Sequence, residues 1–325
     1  MSPALLLFGS TVAGALFTGA VIRALRRRAI LDHPNERSSH AVPTPRGGGW
    51  GILLVLAPVW WAIGVSPWVL AGLAGLAAVS WLDDRHNLAA APRLLVHGAA
   101  VMAGLMALGD EARVFQGWLP GGLDHLATGL LWLWFINLFN FMDGIDGLAG
   151  SEAVSVAGGL ALVAATVGDD SGALSPALVL AGAALGFLVW NWHPAKVFMG
   201  DVGSIPVGFA LGWLLFAAAS AGEWPAALLL PLYFVADASI TLARRLLAGK
   251  PVLQAHREHF YQQATPPGRS HAAVVRMVIL ANLVLIALAL AAPALGWPVL
   301  AGGVLTVAVL ILRLRAGQGM TAGQV

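Results

Sequence analysis

The residues with the clearest chemical potential lie in Asn137–Gly150, NLFNFMDGIDGLAG, at the end of an apolar run. Two amides and two carboxylates recur there at steps of three, namely Asn137, Asn140, Asp143 and Asp146. Residues three apart share one face of a helix, and acidic side chains near lipid are costly and usually functional. The glycines that follow, beginning with Gly144, let a ligand approach the backbone. The stretch predicts a polar binding site at the end of a membrane helix.

Adjacent carboxylates follow the third apolar run, in the sequence WLDD that ends at Asp84. Paired oxygen ligands favour Mg²⁺, although a lone Asp-Asp dipeptide is more often a solvated helix end. If Asp83 and Asp84 share one membrane face with Asp143, Asp146 and Asp201, the acids together predict a divalent-cation site.

A second glycine-rich segment, His193–Ser204 (HPAKVFMGDVGS), places Asp201 between two glycines where the next apolar run begins. A helix N-terminus favours phosphate, and Mg²⁺ commonly takes one or two carboxylates together with substrate phosphates. Lys196 adds a positive charge, and Phe198 offers a flat face on which a base can stack. The plainer interpretation is a glycine-rich turn with a capping acid. We favour a nucleotide-diphosphate and metal site.

Two further loops carry cationic or aromatic side chains. In the first loop, DHPNERSSHAVPTPRGGG, the substrate-binding candidates are Arg37, His40, Thr44 and Arg46. A basic loop of this kind can also be only a topology signal. In the second loop, QAHREHFYQQ, the candidates are His256, Arg257 and His259. Two histidines three apart could hold zinc, but no H-E-x-x-H pattern is present, so contacts with phosphate are the better prediction.

Composition places the chain in the membrane. Of its 325 residues 58% are hydrophobic and 10% are charged, and the mean hydropathy is +0.80. Spans of roughly 20 residues leave room for about ten or eleven crossings. Because cysteine is absent, disulfides, thiolate nucleophiles and cysteine metal sites are excluded.

The apolar runs predict an all-α polytopic bundle forming a single domain, 1–325. The predicted spans are about 3–25, 48–65, 66–82, 93–109, 125–142, 152–168, 175–192, 204–221, 225–247, 272–292 and 296–313. With the N-terminus outside and the C-terminus inside, only Arg113 of the 18 Lys and Arg residues lies outside. The polar loops, about 26–47, 83–92, 141–151, 193–204 and 248–271, then share the cytoplasmic face. Asp237 is the acid placed deepest in a span, and it is either paired with Arg244 or functional.

Taken in order, the motifs PNERSSHAVPTPRGGG, WLDD, FNFMDGIDGLAG, VFMGDVGS and HREH resemble one superfamily. This is the group of polyprenyl-phosphate N-acetylhexosamine-1-phosphate transferases, which includes phospho-MurNAc-pentapeptide translocase and the WecA-type enzymes. The resemblance extends from Asp32 to about Gln263. It implies a multi-pass enzyme of the bacterial inner membrane, often dimeric, with its active site on the cytoplasmic face and no nucleic-acid partner. Such an enzyme moves a sugar 1-phosphate from a UDP-N-acetylhexosamine to undecaprenyl phosphate, uses Mg²⁺ (or Mn²⁺), and releases UMP.

The resemblance also implies roles for individual residues. Asp201 matches the Mg²⁺ ligand, Asp83 the acid proposed as base or nucleophile, and Asp84 its partner. Phe198 matches the aromatic residue that stacks on uracil. The turn that reads the edge of the base matches Gly144, Ile145 and Asp146. Other residues that match the family's cleft are Asn137, Asn140, Asp143, Asn191 and His259. Because the lipid phosphate is already ionised near neutral pH, we favour direct attack assisted by Asp83 over a phospho-aspartate intermediate.

One motif departs from the better-known branches. The muramyl branch has three consecutive histidines where this chain has His259, Phe260 and Tyr261. The GlcNAc branch typically has Asp-Arg-x-His-x-His-His. In this chain the corresponding seven residues begin with His256 and end with Tyr261 and Gln262. The pattern is most similar to the WbpL-like branch, which starts O-antigen and lipopolysaccharide synthesis from UDP-FucNAc or UDP-QuiNAc. We therefore expect a 6-deoxy donor, with UDP-GlcNAc as the alternative.

Two rival functions belong to other classes. A cation-coupled transporter with an acidic inner vestibule would release no UMP from any UDP-sugar. A zinc-dependent membrane hydrolase using His256 and His259 would lose activity on zinc chelation and would not require Mg²⁺.

Overall fold

The computed structural model describes residues 1–34, 42–86, 88–168, 172–251, 256–265 and 269–316. Within this part of the chain the regular structure is helical, apart from one short strand pair and an isolated bridge. The all-α prediction is confirmed. The two loop candidates Arg37 and His40 lie outside the described residues.

In chain order the helices are α1 (Pro3–Arg27), α2 (Trp50–Ala62), α3 (Pro67–His86), α4 (Ala90–Leu108), α5 (Gly121–Phe141), α6 (Leu148–Val167), α7 (Leu174–Asn191), α8 (Asp201–Ala218), α9 (Trp224–Leu229), α10 (Leu232–Leu247), α11 (Phe260–Ala264), α12 (His271–Leu295) and α13 (Pro298–Ala316). The strands are β1 (Leu31–Asp32) and β2 (Thr44–Pro45), which pair antiparallel.

Seven segments of the described chain are long and apolar enough to cross a membrane: α1, α4, α6, α7, the run Asp201–Leu229, α12 and α13. The protein is therefore a multi-pass membrane protein. Each other predicted span also contains a helix, but α2 and α10 have only 13 and 16 residues, and α3 and α5 include polar residues at their ends. A total of ten or eleven crossings stays a prediction.

The chain between the predicted spans 204–221 and 225–247 does not form the loop that these two spans imply. A π-helical turn, Ala219–Glu223, continues directly from α8 and contains Gly222 at φ 101°. The helix α9 then ends at Leu229, and α10 begins only after Pro231. Proline cannot donate the backbone hydrogen bond that a continuous helix requires. The predicted span 225–247 is consequently two helices rather than one.

The helix α8 lies at the centre of the bundle and begins at the predicted metal ligand. All its residues from Val202 to Gly212 are buried, and α3 and α5 flank it. The Trp132 indole donates a hydrogen bond to the Phe209 carbonyl oxygen at 3.1 Å, and the two rings stack at 5.1 Å. A Cβ at Gly212 would lie 2.4 Å from Trp132 Nε1. This packing fixes the N-terminus of α8.

Small residues bring α1 and α7 close together. A Cβ added to Gly14 would lie 2.7 Å from the Ala183 carbonyl oxygen, and a Cβ added to Gly186 would lie 2.3 Å from the Thr11 carbonyl oxygen. Close backbone approach of this kind drives helix association in lipid, where the hydrophobic effect offers little.

The segment after β2 is tied to the loop that precedes α8. The Phe198 N–H donates to the Pro45 carbonyl oxygen at 2.8 Å, and the Gly48 N–H donates to the Phe198 carbonyl oxygen at 2.8 Å. A Cβ at Gly49 would lie 2.1 Å from the Gly203 Cα, so only glycine permits this approach. These backbone contacts hold Arg46 beside the start of α8.

Candidate active site

Each of the five predicted polar loops contributes residues to one end of the bundle. Side-chain and backbone contacts join the segment around Arg46, the end of α3, the turn after α5, the loop before α8 and the segment around His259. The opposite ends of α8 and α5 meet a different loop, where Ser220 Oγ accepts from the Arg113 N–H at 3.0 Å. The chemistry-bearing residues therefore gather at one end.

The centre of the candidate site is formed by Asp84, Arg46 and Asp201. Arg46 Nη2 lies 2.9 Å from Asp84 Oδ1 and 3.0 Å from Asp201 Oδ1. The Asp84 carboxylate also accepts from the N–H groups of Asp201 at 3.3 Å and Val202 at 3.1 Å. Asp84 therefore caps α8, where a negative charge is stabilised by the helix dipole.

The charges in this group perturb one another. Asp84 lies outside the predicted membrane span, two residues beyond its last apolar residue, Leu82. Burial and the negative charge of Asp201 raise the pKa of Asp84 to about 6, against the lowering effect of Arg46. Burial lowers the pKa of Arg46, but the charges of Asp84 and Asp201 outweigh it, and the net pKa is raised. Arg46 remains a cation throughout.

The side chains of the adjacent acids Asp83 and Asp84 contact different partners. Asp83 Oδ2 lies 2.6 Å from Arg93 Nη1, and Asp83 Oδ1 accepts from the Leu88 N–H at 2.7 Å. Asp84, and not Asp83, makes the contacts with the Asp201 group. The sequence-based picture of the dipeptide as one paired cation ligand is therefore wrong in geometry, because consecutive helical residues point in different directions.

Asp143 lies close to the same group. It is half-buried after the end of α5. Burial, together with the negative charge of Asp201, raises the pKa of its carboxyl group well above the ordinary range. Within the described part of the chain its carboxylate has no side-chain hydrogen bond. Asp143 thus offers carboxylate oxygens that could bind a cation.

The residue types present fit Mg²⁺ or Mn²⁺, although among the described residues the oxygens of Asp84, Asp143 and Asp201 do not converge into a group of three ligand atoms within 4.8 Å. Asp84, Asp143 and Asp201 supply only carboxylate oxygens, which are the ligands these hard cations prefer. Arg46 already bridges two of these acids as a positive charge. A Cβ at Gly200 would lie 3.1 Å from Asp84 Oδ2, so glycine keeps the carboxylate accessible at this point.

A second group combines Asp146 with two histidines. Asp146 Oδ2 lies 2.7 Å from His193 Nδ1 and 3.3 Å from His271 Nδ1, and it accepts from the Ala195 N–H at 3.2 Å. All three ligand atoms lie within 4.8 Å of one another, so the group could hold a metal ion. Two imidazoles and a carboxylate suit a transition metal better than Mg²⁺.

Hydrogen bonding already satisfies this second group. Burial acts to raise the pKa of Asp146, but the contacts with His271 and His193 outweigh it, and the net pKa is lowered. Asp146 thus joins the turn after α5 to the loop before α8 and to the start of α12. The sequence interpretation missed His193 and His271, since neither belongs to a recognisable ligand spacing.

The predicted amides have mainly structural contacts. Asn191 Oδ1 accepts from the Gly147 N–H at 3.0 Å, and its Nδ2 donates to the Val197 carbonyl oxygen at 2.9 Å. Asn137 Nδ2 donates to the Leu133 carbonyl oxygen at 2.7 Å. Asn140 Oδ1 accepts from Ser204 Oγ at 2.6 Å. Because α5 ends at Phe141, the predicted single helical face includes both α5 amides but not the acids.

The segment 256–265 covers the turn that contains Gly144. Tyr261 Oη donates to the Phe141 carbonyl oxygen at 2.9 Å, and a Cβ at Gly144 would lie 2.2 Å from that hydroxyl. Ile145 in the same turn is buried. The loop that differs from the better-known branches therefore lies directly on the predicted base-reading turn.

Asp237 organises this segment. Its carboxylate accepts from five groups, namely the hydroxyls of Tyr233 and Thr241, the ring Nδ1 of His259, and the N–H groups of Phe260 and Tyr261. The alternative in which Asp237 pairs with Arg244 is wrong, because the Arg244 guanidinium lies over the Phe260 ring at 5.6 Å. His259 is buried by this contact and serves first as an anchor.

The rings of His256, His259 and Tyr261 form a stack, with centroids 4.9 Å and 5.7 Å apart. Burial and the neighbouring charges, His259 first, lower the pKa of His256 to about 4. Its imidazole is therefore neutral near pH 7 and could contact a phosphate only as a hydrogen-bond donor. Arg257 beside the stack is half-buried.

Three other candidates have defined positions. Phe198 is half-buried, and its backbone forms the bridge with Arg46. Lys196 Nζ lies 5.4 Å from the centroid of the Trp190 ring, which is a cation–π contact. Thr44 is buried, and its hydroxyl donates to the Val42 carbonyl oxygen at 2.9 Å.

Comparison with known proteins places this geometry in a family. Residues 66–219 match the family described as Glycosyl transferase family 4. The chain is 31% identical to the decaprenyl-phosphate N-acetylglucosaminephosphotransferase of Mycobacterium leprae (strain TN), over 81% of this chain and 77% of that protein. It is 26% identical to a probable undecaprenyl-phosphate N-acetylglucosaminyl 1-phosphate transferase of Bacillus subtilis (strain 168), over 83% and 79% of the two chains.

A shorter similarity reaches the muramyl branch. Over 30% of each chain, the sequence is 43% identical to the phospho-N-acetylmuramoyl-pentapeptide-transferase of Moorella thermoacetica (strain ATCC 39073 / JCM 9320). The resemblance inferred from the five motifs is confirmed. The chain belongs to glycosyl transferase family 4, within the superfamily of polyprenyl-phosphate N-acetylhexosamine-1-phosphate transferases.

Proposed function

We propose that this protein transfers an N-acetylhexosamine 1-phosphate from a UDP-sugar to a polyprenyl phosphate and releases UMP. The observation that carries the proposal is the group of Asp84, Arg46 and Asp201 at the N-terminus of α8, with Asp143 beside it. Carboxylates for a divalent cation, a guanidinium and a helix N-terminus are the parts that a pyrophosphate requires. The names of the similar proteins support the same reaction.

The reaction exchanges one phosphoanhydride for another. An oxygen of the acceptor phosphate attacks the β-phosphorus of the UDP-sugar, and the bond from that phosphorus to the bridging oxygen breaks. UMP leaves, and the lipid carries the sugar on a pyrophosphate. The anomeric C–O bond is untouched, so the configuration of the sugar is retained. The free energy of reaction is therefore close to zero, and later steps draw the product forward.

Two anionic substrates must approach each other at this site. A bound Mg²⁺ would be held by Asp201, Asp84 and Asp143 and would screen charge on the phosphates. Arg46 and the N–H groups at the start of α8 supply further positive potential. Catalysis then consists mostly of positioning and electrostatic stabilisation.

We propose that the acceptor oxygen attacks the donor directly and that Asp83 assists this attack. Its carboxylate is held by Arg93 and the Leu88 N–H. A carboxylate engaged in two such contacts is a poor nucleophile, which favours direct attack over a phospho-aspartate intermediate. In this account Asp83 holds Arg93 in place, and the Arg93 guanidinium attracts and orients the acceptor phosphate.

The experiment that tests the function is UMP release by the purified protein. With undecaprenyl phosphate and a UDP-N-acetylhexosamine, we expect UMP to form in amounts equal to the lipid product and only when both substrates and Mg²⁺ are present. A transporter would release none. A zinc-dependent hydrolase would release nucleotide without the acceptor and would be inactivated by zinc chelation.

The donor sugar has two candidates. The names of the similar proteins favour UDP-GlcNAc. The departures at His256, Tyr261 and Gln262 favour a 6-deoxy donor, UDP-FucNAc or UDP-QuiNAc, and a role in O-antigen synthesis. All UDP-sugars share the nucleotide contacts, so the choice between them must come from groups near the hexose. Because this segment departs most from the related sequences, we propose that it faces the sugar.

Exchanging the loop should change the choice of sugar. We expect the triple variant His256→Asp, Tyr261→His and Gln262→His, which restores the Asp-Arg-x-His-x-His-His pattern, to shift the ratio of kcat/KM values toward UDP-GlcNAc. An apolar pocket rejects an added hydroxyl by only about 10²-fold, so the shift is bounded at that scale. The measurement is UMP release with a panel of UDP-N-acetylhexosamines.

A control separates selectivity from folding, because Tyr261 also donates to the Phe141 carbonyl oxygen. The single variant His256→Asp leaves that contact in place and should give part of the shift. An unchanged ratio in both variants would show that the loop does not select the sugar.

Removing the aromatic ring of Phe198 should weaken donor binding. Phe198 stands three residues before Asp201 and is half-buried. We expect Phe198→Ala to weaken UDP-sugar binding by about 1–3 kcal/mol, the range for one lost base stack, with a smaller effect on the acceptor KM. Phe198→Tyr should retain binding. Equal losses for both substrates in Phe198→Ala would identify Phe198 as a packing residue.

We also propose where the enzyme works. The cationic residues cluster at the end of the bundle that holds the site, and such a bias favours the cytoplasmic side. One membrane domain in the bacterial inner membrane, acting on undecaprenyl phosphate and assembling as a homodimer, is consistent with the family.

A further inference from the structure

Arg46 is bound to carboxylates rather than poised in an open cleft. A single guanidinium nitrogen, Nη2, contacts Asp84 Oδ1 at 2.9 Å and Asp201 Oδ1 at 3.0 Å. These acids are two of the three that the proposed function assigns to the divalent cation. The side chain of Arg46 is 40% exposed, whereas that of Asp84 is 5% exposed. The guanidinium can therefore leave the acids without rearranging the core.

The backbone around Arg46 is held independently of these ion pairs. Arg46 forms a bridge with Phe198, the Gly47 N–H donates to the Phe198 carbonyl oxygen at 3.2 Å, and the Phe198 N–H donates to the Pro45 carbonyl oxygen at 2.8 Å. A Cβ at Gly200 would lie 3.3 Å from Arg46 Cγ. The stem of the side chain thus passes over the turn before α8, and only the guanidinium needs to move.

We propose that Arg46 is an exchange residue that couples metal binding to donor binding. Without donor, its guanidinium neutralises Asp84 and Asp201 and competes with the divalent cation for their oxygens. With donor, the pyrophosphate offers the guanidinium a second anionic partner, and the carboxylates are released to the cation. Arginine suits this exchange because its planar fork binds carboxylate and phosphate equally well.

The proposal rests on the proposed function and predicts a reciprocal effect. If the donor relieves the competition, the nucleotide must tighten metal binding, and the metal must tighten nucleotide binding by the same factor. It also predicts an unusual sign. Removing the positive charge of Arg46 should tighten metal binding in the absence of nucleotide, whereas loss of an ordinary substrate-binding arginine would leave it unchanged.

The test measures Mn²⁺ binding to the detergent-purified full chain by the electron paramagnetic resonance signal of free Mn²⁺, with and without UDP, relative to matched protein-free samples that account for the Mn²⁺ bound by UDP in solution. For the wild type we expect UDP to lower the Mn²⁺ Kd by about tenfold, within the usual range of coupling. For Arg46→Met we expect a Kd without UDP about tenfold lower than that of the wild type, and a smaller effect of UDP than in the wild type, because only the direct contact between the pyrophosphate and the metal remains. Arg46→Lys should fall between the two.

Arg85→Met is the matched control. Arg85 lies next to Asp84 in sequence, but its guanidinium is over the Trp81 ring at 5.0 Å, so its loss removes a nearby charge without freeing the carboxylates. We expect wild-type Mn²⁺ binding and coupling. Thermal unfolding of each variant in the same detergent reports folding, and Arg46→Lys keeps the test valid if Arg46→Met does not fold.

Three results would overturn the proposal. Mn²⁺ binding without UDP could be unchanged or weaker in the folded Arg46 variants, the effect of UDP could be as large in them as in the wild type, or Arg85→Met could reproduce the tightening. Each of these would leave UMP release by the wild type intact, so the inference fails separately from the reaction. Absence of Mn²⁺ binding to the wild type with UDP would overturn the metal site and this inference together.

Discussion

Asp201→Asn should fold like the wild type and lose about 10³-fold or more in turnover, the scale of losing a catalytic metal or a key electrostatic group. The substitution keeps the size of the side chain and one of its oxygens but removes its negative charge. That charge lies at the first residue of α8 and contacts Arg46 at 3.0 Å. Loss of the charge should weaken binding of the Mg²⁺ that Asp201 would help to hold, and with it the positive charge that the ion would supply to the donor phosphates. The measurement is UMP release at saturating Mg²⁺.

The control for this prediction is Asp110→Asn. Asp110 is exposed in the loop at the opposite end of the bundle, so its loss should leave turnover unchanged. Equal thermal unfolding of the two variants would exclude misfolding. Near-normal turnover of a well-folded Asp201→Asn protein would refute the metal assignment.

Asp237→Ala is expected to destabilise the segment that covers the site. The carboxylate accepts five hydrogen bonds while fully buried. Removing one partner from a buried charged network costs about 3–5 kcal/mol. The loss should appear as faster proteolysis or hydrogen exchange at 256–265 and as a higher KM for the UDP-sugar.

Thr241→Val provides the comparison. It removes a single donor, the Thr241 hydroxyl at 3.3 Å from Asp237, and should cost about 1 kcal/mol, the net value of one hydrogen bond. If Asp237→Ala shows wild-type exchange at 256–265, then the segment is held by other contacts, such as the Tyr261 hydroxyl.

The class of fold is predictable from sequence because membrane spans are read from length and apolarity alone. The helices α1, α6, α7, α12 and α13 begin and end close to the predicted spans. The exception is the region of Gly222 and Pro231, where a π-helical turn and a proline divide the helices. Hydropathy does not register such breaks, since the run Asp201–Leu229 is strongly apolar on average despite Glu223.

The candidate site is predictable at the level of motifs and not of contacts. Asp201 between its glycines is at the helix start, as expected. The directions of Asp83 and Asp84 differ because each finds a partner from a distant segment, Arg93 in one case and Arg46 in the other. Sequence spacing describes neighbours on one helix and carries no information about which other helix supplies the partner.

The same limit explains the acids whose partners were missed. The spacing of seven residues on one helix face predicts that Asp237 pairs with Arg244, yet its carboxylate contacts His259 from a distant loop. Asp146 was assigned to base recognition, and its carboxylate meets His193 and His271 from two further segments. In each case the distant partner is brought in by tertiary packing.

The central claim is that a sugar phosphate, and not a sugar alone, moves to the lipid. The most direct measurement uses a UDP-sugar with a radioactive β-phosphate, undecaprenyl phosphate, Mg²⁺ and the purified protein. The account predicts that the label enters the organic-extractable lipid while unlabelled UMP is released in equal amount, and that Asp201→Asn abolishes both. Label remaining in released UDP, or unlabelled lipid product, would contradict it.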